Sequence, residues 1–148
     1  MKLYLAGPLF TLAEQRFNKH LAESLSKSMS GLDVILPQER AKQLLGKPDG
    51  LELVFKDCLA MIDACDVVLA ILDGADADSG TCVELGYAWA RHKPVVGVRT
   101  DFRISEDRGL NLMVSHVCKV LLVLTSEDLE SLSKKIGEAL AQIRESRS

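Results

Sequence analysis

Apolar residues occur along the chain in five short runs, separated by longer segments with helical spacing. The runs cover residues 3–6, 34–36, 67–72, 95–98 and 120–124. The third and fifth runs are continuous rather than alternating, which is typical of strands buried on both faces of a parallel sheet. The pattern therefore predicts five strands.

The segments between the runs predict helices over residues 11–29, 50–64, 81–92 and 127–144. The last helix has an apolar stripe with spacings of three and four, and Ser126 just before it is the expected N-cap. Alternating strands and helices predict one doubly wound α/β domain over residues 1–148. We expect a five-stranded parallel sheet of the flavodoxin or Rossmann type, in the order 2-1-3-4-5, with helices on both faces.

The loops after the predicted strands mark where a ligand is expected. Doubly wound sheets bind ligands beyond the carboxyl ends of their strands, at the switch point between the first and third strands. These loops contain Ala6-Gly7-Pro8, Pro37-Gln38, residues 73–80 and Arg99-Thr100-Asp101. We expect the chemistry of the protein in this set of loops.

The most informative loop is the acidic segment 73–84, which has the sequence DGADADSGTCVE and leads into a predicted helix. Carboxylates crowded at a switch point tend to have divided pKa values, as an acid and a nucleophile require. A structural interpretation also fits, because Thr81-x-x-Glu84 matches a capping box in which Glu84 satisfies helix N-terminal amides. The residues alone leave both interpretations open.

Composition narrows the possible partners. Of the 148 residues, 47% are hydrophobic and 26% charged, and the net charge is −3, which disfavours binding to nucleic acid or a membrane surface.

The four cysteines form no C-x-x-C pair and are interpreted as small buried side chains in a reducing compartment. The apolar stretch after Met1 is too short for a signal peptide, so we expect a cytoplasmic protein.

The amino-acid sequence also disfavours several other kinds of site. A calcium loop that starts at Asp76 would place Gly80 and Tyr87 at ligand positions. No Walker A string exists, and no G-x-G-x-x-G follows the first strand, so neither a metal nor a cofactor is expected. A phosphorylation receiver of the same fold would need an acidic pair after strand one and a lysine after strand five. The chain has residues 6–8 (AGP) and 125–126 (TS) there.

Short sequence motifs spread over nearly the whole chain resemble those of the nucleoside 2-deoxyribosyltransferase family, and they occur in the same order. The most specific is DSGTCVELGYA at 78–88, which follows LDG at 72–74. Supporting strings are YLAGPLF at 4–10, AE at 13–14, FN at 17–18, LPQ at 36–38, KPVVG at 93–97, TD-x-R at 100–103 and NLM at 111–113.

The resemblance implies an enzyme of nucleoside salvage with specific residue roles. Glu84 is similar to the nucleophile that forms a 2-deoxyribosyl ester, and Tyr4 to the tyrosine that holds this carboxylate. Asp73 and Asp78 match acids that contact the base and the sugar, one of which helps to protonate the leaving base. The implied substrate-binding residues are Gly7, Phe10, Gln38, Gly80, Thr81, Asn111 and Met113.

The resemblance also implies a homo-oligomer, a dimer or a multiple of dimers, in which Asn111 and Met113 complete a neighbour's site. Each of these assignments has a simpler structural interpretation. Tyr4 also fits a sheet-core aromatic, Gln38 a turn residue, and Asn111 the cap of a short helix.

Three functions remain open at this point. The first is transfer of deoxyribose between nucleobases; the second is hydrolysis of deoxynucleosides or their 5′-monophosphates; the third is a sensing module without turnover. Residues 8–14 contain no Lys or Arg to bind a phosphate dianion, which favours a substrate with a free 5′-hydroxyl. Transfer and hydrolysis differ in whether a base or water reaches the glycosyl-enzyme first, and the sequence leaves that choice open.

Overall fold

A computed structural model describes residues 1–103 and 109–146 of the chain. Within these residues, five parallel strands form one sheet in the order β2-β1-β3-β4-β5, which confirms the predicted topology. The strands are β1 Lys2–Ala6, β2 Asp33–Ile35, β3 Val67–Ile71, β4 Val95–Arg99 and β5 Val120–Val123. The order reverses between β1 and β3, so the expected switch point lies at the carboxyl ends of these two strands.

Four helices lie close to their predicted positions: α1 Leu12–Ser28, α3 Gly50–Ala64, α4 Ser79–Ala90 and α6 Leu129–Glu145. Two short helices were not predicted, α2 Pro37–Leu44 and α5 Leu112–Val117. Helix α2 begins with Pro37 at its first position, where the missing N–H is tolerated, so the proline starts a helix instead of marking a turn. None of the helices in the described ranges is long and apolar enough to cross a bilayer.

The start of α6 corrects one prediction. Its N-cap is Asp128, whose carboxylate accepts a hydrogen bond from the Ser131 amide at 2.8 Å, and not Ser126. Glu127 also lies outside the helix, where it bonds to Ser131 and Lys135. The helix therefore begins two residues later than expected, at the aspartate that satisfies its free amides.

Strict alternation on the strands divides the core into two layers. Leu3 and Leu5 of β1 pack on one face with residues of α1 and α6. Tyr4 and Ala6 point to the other face, which is covered by α3, α4 and α5. Because side chains on a strand alternate between faces, this register places Tyr4 beneath α4.

The edge strand β5 differs from its prediction. Val120 and Leu122 pack against the α1 and α6 layer, whereas Leu121 and Val123 are 37% and 59% exposed. The continuous apolar run at 120–124 therefore belongs to a half-exposed strand and not to one buried on both faces. By contrast, all five residues of β3 are buried, as predicted.

Gly97 in β4 provides a test of how closely the sheet packs. An added Cβ would lie 2.6 Å from Sγ of Cys118 and 2.9 Å from Cδ1 of Leu72. We expect Gly97→Ala to lower the free energy of unfolding in urea by ~1–3 kcal/mol, since the core must shift to admit the methyl group.

Gly137→Ala in α6 is the matched control, because its Cβ would meet Sδ of Met29 at an ordinary 3.5 Å. This change should stabilise the protein by ~0.5–1 kcal/mol through helix propensity. Both variants are measured at the same protein concentration. If they changed the free energy of unfolding by the same amount, close packing at Gly97 would be contradicted.

Candidate active site

Glu84 and Tyr4 meet at the centre of the molecule. The Tyr4 hydroxyl donates a hydrogen bond to Oε1 of Glu84 at 2.6 Å, and the Tyr4 side chain has no solvent exposure. Tyr4 comes from β1 and Glu84 from the second turn of α4, 80 residues later in the chain. The contact therefore depends on α4 packing across the face of the sheet that carries Tyr4.

The start of α4 shows why Glu84 is available for this contact. The N-cap is Asp78, whose Oδ2 accepts hydrogen bonds from the Thr81 amide at 2.8 Å and the Thr81 hydroxyl at 2.9 Å. The capping box predicted as an alternative is therefore wrong, since Thr81 is inside the helix and buried. Asp78 satisfies the amide, and Glu84 extends to β1 instead.

Burial is the largest influence on the Glu84 carboxylate and raises its pKa to about 7. The hydrogen bond from Tyr4 lowers the pKa, while the negative charge of Asp78 raises it further. Burial, together with the charge of Glu84, raises the pKa of Tyr4 far above its ordinary range. The tyrosine is therefore a fixed donor, and Glu84 is the group that changes charge near neutral pH.

Asp73 stands at the end of β3, in hydrogen bonds to the loop after β4. Its carboxylate accepts from the Thr100 amide at 2.6 Å, the Thr100 hydroxyl at 2.5 Å and the Asp101 amide at 3.0 Å. Buried Arg99 donates in return to the carbonyls on both sides of Asp73, those of Leu72 at 2.7 Å and Gly74 at 3.1 Å. These bonds fix Asp73 in the loop at the switch point.

A cavity of about 300 Å³ opens beside Asp73 at the carboxyl ends of β1 and β3. Pro8 of the β1 loop, Phe17 and Asn18 of α1, and Arg103 form other parts of its wall. Arg103 is engaged by the Asp101 carboxylate through its Nε. The cavity is thus bordered by one predicted acid and by an arginine whose charge is already paired.

The loop after β1 approaches the end of β3 closely. A Cβ at Gly7 would come within 3.1 Å of the Ile71 Cβ, so glycine allows the loop to approach β3 closely. Phe10 is 72% exposed at the outer end of this loop. Gly80, in the first turn of α4, faces the Asp78 carboxylate, from which its Cβ would be 3.2 Å away.

Gln38 is buried in the first turn of α2 rather than in a turn at the strand end. Its Nε2 donates to the Gln15 carbonyl at 3.0 Å, and its Oε1 accepts from Asn18 at 3.5 Å. Asn18 also donates to the Pro8 carbonyl at 3.0 Å. Gln38 therefore joins a buried amide network beneath the β1 loop.

Asn111 and Met113 lie apart from Glu84 of the same chain. Asn111 caps α5 by accepting a hydrogen bond from the Met113 amide at 2.9 Å, and the Met113 side chain is 72% exposed. Both border a cavity of about 490 Å³ whose α4 wall includes Cys82 and Gly86. Since Cys82 and Gly86 are each about 160° from Glu84 around the helix, the cavity opens on another side of α4.

The residue that the sequence interpretation missed is Cys58 of α3. Its side chain packs, half-buried, against the core layer that contains Tyr4, and burial raises the pKa of the thiol. Position 58 shares helical spacing with Met61 and Ile62, both buried, which was the available signal that Cys58 faces the sheet. Among the described residues, no three His, Cys, Asp or Glu side chains are grouped as metal ligands.

Comparisons with known proteins support the family resemblance of the sequence. A family model described as nucleoside 2-deoxyribosyltransferase matches residues 3–113. An uncharacterized protein from Ureaplasma parvum is 34% identical, over 74% of this chain and 76% of that protein.

Two solved structures are similar over nearly their whole length. A conserved protein from Enterococcus faecalis has a TM-score of 0.73 and 28% identity, covering 94% of this chain and 98% of that chain. A 2-deoxyribosyltransferase from Bacillus psychrosaccharolyticus has a TM-score of 0.69 and 28% identity, covering 90% of both chains.

The partly buried carboxylate of Glu84 predicts a specific pH dependence of stability. The native protein holds the Glu84 proton up to about pH 7, whereas the unfolded chain releases it near 4.5. The stabilising contribution of this proton is therefore complete below pH 4.5 and is lost as the pH rises through 7. We expect Glu84→Gln to stabilise the protein relative to wild type more at pH 8 than at pH 5, by on the order of 2–3 kcal/mol.

Urea unfolding of both proteins across this pH range measures the difference. Glu52→Gln is the control, because Glu52 lies on the surface in an ion pair with Lys56. A Glu84→Gln difference that stays constant with pH would show that Glu84 is ionised throughout.

Proposed function

Since this chain belongs to the nucleoside 2-deoxyribosyltransferase family, we propose that it transfers the deoxyribosyl group of a 2′-deoxynucleoside to another nucleobase. The observation that carries the proposal is the part-buried hydrogen bond between Tyr4 of β1 and Glu84 of α4, the helix that follows β3. A carboxylate held by a neutral donor in a partly buried site is suited to attack a sugar carbon. The similar Bacillus psychrosaccharolyticus protein is itself described as a 2-deoxyribosyltransferase.

The first step is displacement of the base by Glu84. A carboxylate oxygen of Glu84 forms a bond to C1′ while the bond from C1′ to the base nitrogen breaks, and its electron pair leaves with the base. The base takes up a proton from an acid, which makes it a better leaving group. The product is a 2-deoxyribosyl ester of Glu84.

The second step reverses the first with a different base. A nitrogen of the incoming base attacks C1′, the ester bond to Glu84 breaks, and the base loses its proton. Two displacements at the same carbon retain its configuration. Tyr4 holds the Glu84 carboxylate as it is regenerated.

The two aspartates are assigned different sides of the substrate. Asp78 is close enough for its charge to raise the pKa of Glu84, which supports a place beside the sugar. Asp73 borders the cavity next to the β1 loop, which supports a contact with the base and transfer of its proton. Gln38, Gly7 and Phe10 belong to the same end of the sheet and are proposed to shape the base side.

We propose that the substrate is a nucleoside with a free 5′-hydroxyl rather than a 5′-monophosphate. Residues 8–14 of the β1 loop contain neither Lys nor Arg. Arg103 borders the cavity, but its guanidinium is held by the Asp101 carboxylate. A phosphate dianion would have to displace that carboxylate to pair with Arg103.

The test is to incubate the protein with a deoxynucleoside, with and without a different free base, and to separate the products by chromatography. We expect a new deoxynucleoside when the second base is present. Glu84→Ala should lower this rate by about 10³-fold or more while the fold is retained, because the nucleophile is lost. Glu52→Gln is the control and should keep full activity.

Other products would identify a different function. Release of free base and deoxyribose, without incorporation of the second base, would establish a hydrolase. Faster reaction of 5′-monophosphates would overturn the assignment of a free 5′-hydroxyl. A protein that binds nucleosides without any turnover would be a sensing module.

We also propose that Asn111 and Met113 complete the site of a neighbouring subunit. In their own chain they border a cavity on a different side of α4 from Glu84. Helices α3, α4 and α5 carry large apolar side chains that are more than half exposed, as expected of an interface: Leu51, Phe55, Val83, Leu112 and Met113.

Mixing two inactive variants tests the shared site. If Glu84→Ala and Asn111→Ala subunits exchange, each mixed dimer contains one site with both residues intact. We expect recovery of about a quarter of wild-type activity, because half of randomly exchanged dimers are mixed. Mixed dimers that form but stay inactive would show that Asn111 acts within its own chain.

A further inference from the structure

Thr100, the first residue after β4, contacts both oxygens of the Asp73 carboxylate. Its amide donates to Oδ1 at 2.6 Å, and its hydroxyl donates to Oδ2 at 2.5 Å. The Asp101 amide is a second donor to Oδ1, at 3.0 Å. Within the described part of the chain, Oδ1 is therefore held by two backbone amides and Oδ2 by one hydroxyl.

The two oxygens of Asp73 differ in the chemistry that these partners allow. A backbone amide can only donate a hydrogen bond, so Oδ1 is kept as an acceptor. A hydroxyl can donate to an ionised oxygen and can also accept from a protonated one. Oδ2 is thus the oxygen that can hold or release a proton while it keeps its partner.

Thr100 makes this contact from outside the cavity beside Asp73. Asp73 forms part of the wall of that cavity, whereas Thr100, among the residues that the structure describes, does not. Asp73 is only partly buried, so its carboxylate can be reached by a ligand. A role for Thr100 in the reaction would therefore be exerted through Asp73.

The backbone around Asp73 is fixed by a separate set of bonds. The buried Arg99 side chain donates to the Leu72 carbonyl at 2.7 Å and to the Gly74 carbonyl at 3.1 Å. These bonds hold the main chain on both sides of Asp73. The freedom that remains is rotation of the Asp73 side chain, and the Thr100 hydroxyl restrains it at Oδ2.

We propose that Thr100 is a positioning residue, whose hydroxyl orients Oδ2 of Asp73 towards the leaving base and holds it there during proton transfer. The proton moves from Oδ2 to a nitrogen of the base, and the electron pair of the O–H bond stays on Oδ2. The incoming base later returns a proton to this oxygen. The inference rests on the proposed function and adds the residue on which its proton donor depends.

The test compares Thr100→Val with Thr100→Ser in the assay for base exchange. Valine keeps the branched shape of threonine but has a methyl group in place of the hydroxyl, whereas serine keeps the hydroxyl. Thr100→Ala is a second variant without the hydroxyl, in case valine disturbs the fold. Thr125→Val, at an exposed threonine in the loop after β5, is the control and should keep full activity.

We expect Thr100→Val and Thr100→Ala to lower kcat for a deoxynucleoside by about 10-fold or more, because a poorly aimed acid protonates the base less effectively. KM should stay within about 2-fold, since the hydroxyl acts on proton transfer rather than on binding. Thr100→Ser should restore kcat to within about 3-fold of wild type. A valine variant and an alanine variant that both keep wild-type kcat would overturn the inference.

A second substrate distinguishes proton transfer from a purely structural role. The leaving group of 4-nitrophenyl 2-deoxyriboside departs as a phenolate and needs no proton. The loss of kcat in Thr100→Val should therefore shrink to about 2-fold or less with this substrate. Equal losses with both substrates would show that Thr100 supports the site in general and not the proton donor.

A double-mutant cycle with Asp73→Asn gives a readout that the artificial substrate does not affect. The asparagine amide has no acidic proton to transfer, so adding Thr100→Val should lower kcat for a deoxynucleoside by less than about 2-fold further. Losses that multiply in full would show that Thr100 acts independently of Asp73.

Urea unfolding of the same four proteins separates this inference from the proposed function, because it needs no substrate. Non-additive shifts of the unfolding midpoint would show that the Thr100 hydroxyl and Asp73 interact. If they interact but wild type converts no deoxynucleoside, the proposed function fails and the role in proton transfer fails with it. If wild type is active and the shifts are additive, the inference alone is overturned.

Discussion

The partial burial of one carboxylate, Glu84 of α4, is the constraint on which the site depends. The Tyr4 hydroxyl, a neutral donor, bonds to it at 2.6 Å. An arginine in place of Tyr4 would favour the ionised carboxylate and would also occupy its oxygens. A neutral donor orients the carboxylate and leaves its pKa at about 7. The negative charge of Asp78 also raises the pKa of Glu84, because two nearby negative charges repel.

Two local features allow the carboxylate to be held there. The first is the alternation of side chains on β1, since a slip of one residue would turn Tyr4 to the α1 and α6 face. The second is the N-cap of α4, where Asp78 satisfies the Thr81 amide. Because Asp78 performs the structural task that the capping-box interpretation gave to Glu84, the Glu84 carboxylate is free to bond to Tyr4. The acidic loop thus uses one carboxylate to cap the helix and another to contact β1.

The loops around the site are braced by a reciprocal set of hydrogen bonds. Arg99 donates to the carbonyls on both sides of Asp73, and Asp73 accepts from Thr100 and Asp101 in the neighbouring loop. A buried arginine bonded to carbonyls is satisfied only while both loops keep their positions. This network couples the ends of β3 and β4 and holds the cavity wall beside Asp73. Asp73, which the sequence analysis predicts as a catalytic acid, therefore also stabilises the loops around the site.

The sequence by itself determined the sheet, four of the helices and the location of the acidic loop, because these follow from local periodicity and from the Gly, Pro and Asp residues that end each element. It also singled out Glu84 and Tyr4 through the family strings. The tertiary structure decided what periodicity does not contain. The half-exposed edge strand β5, the helix that begins at Pro37, the burial of Gln38 and the place of Cys58 all depend on which distant segments pack together. Local pattern fixes which face a side chain takes, whereas its partner on that face is set by packing across tens of residues.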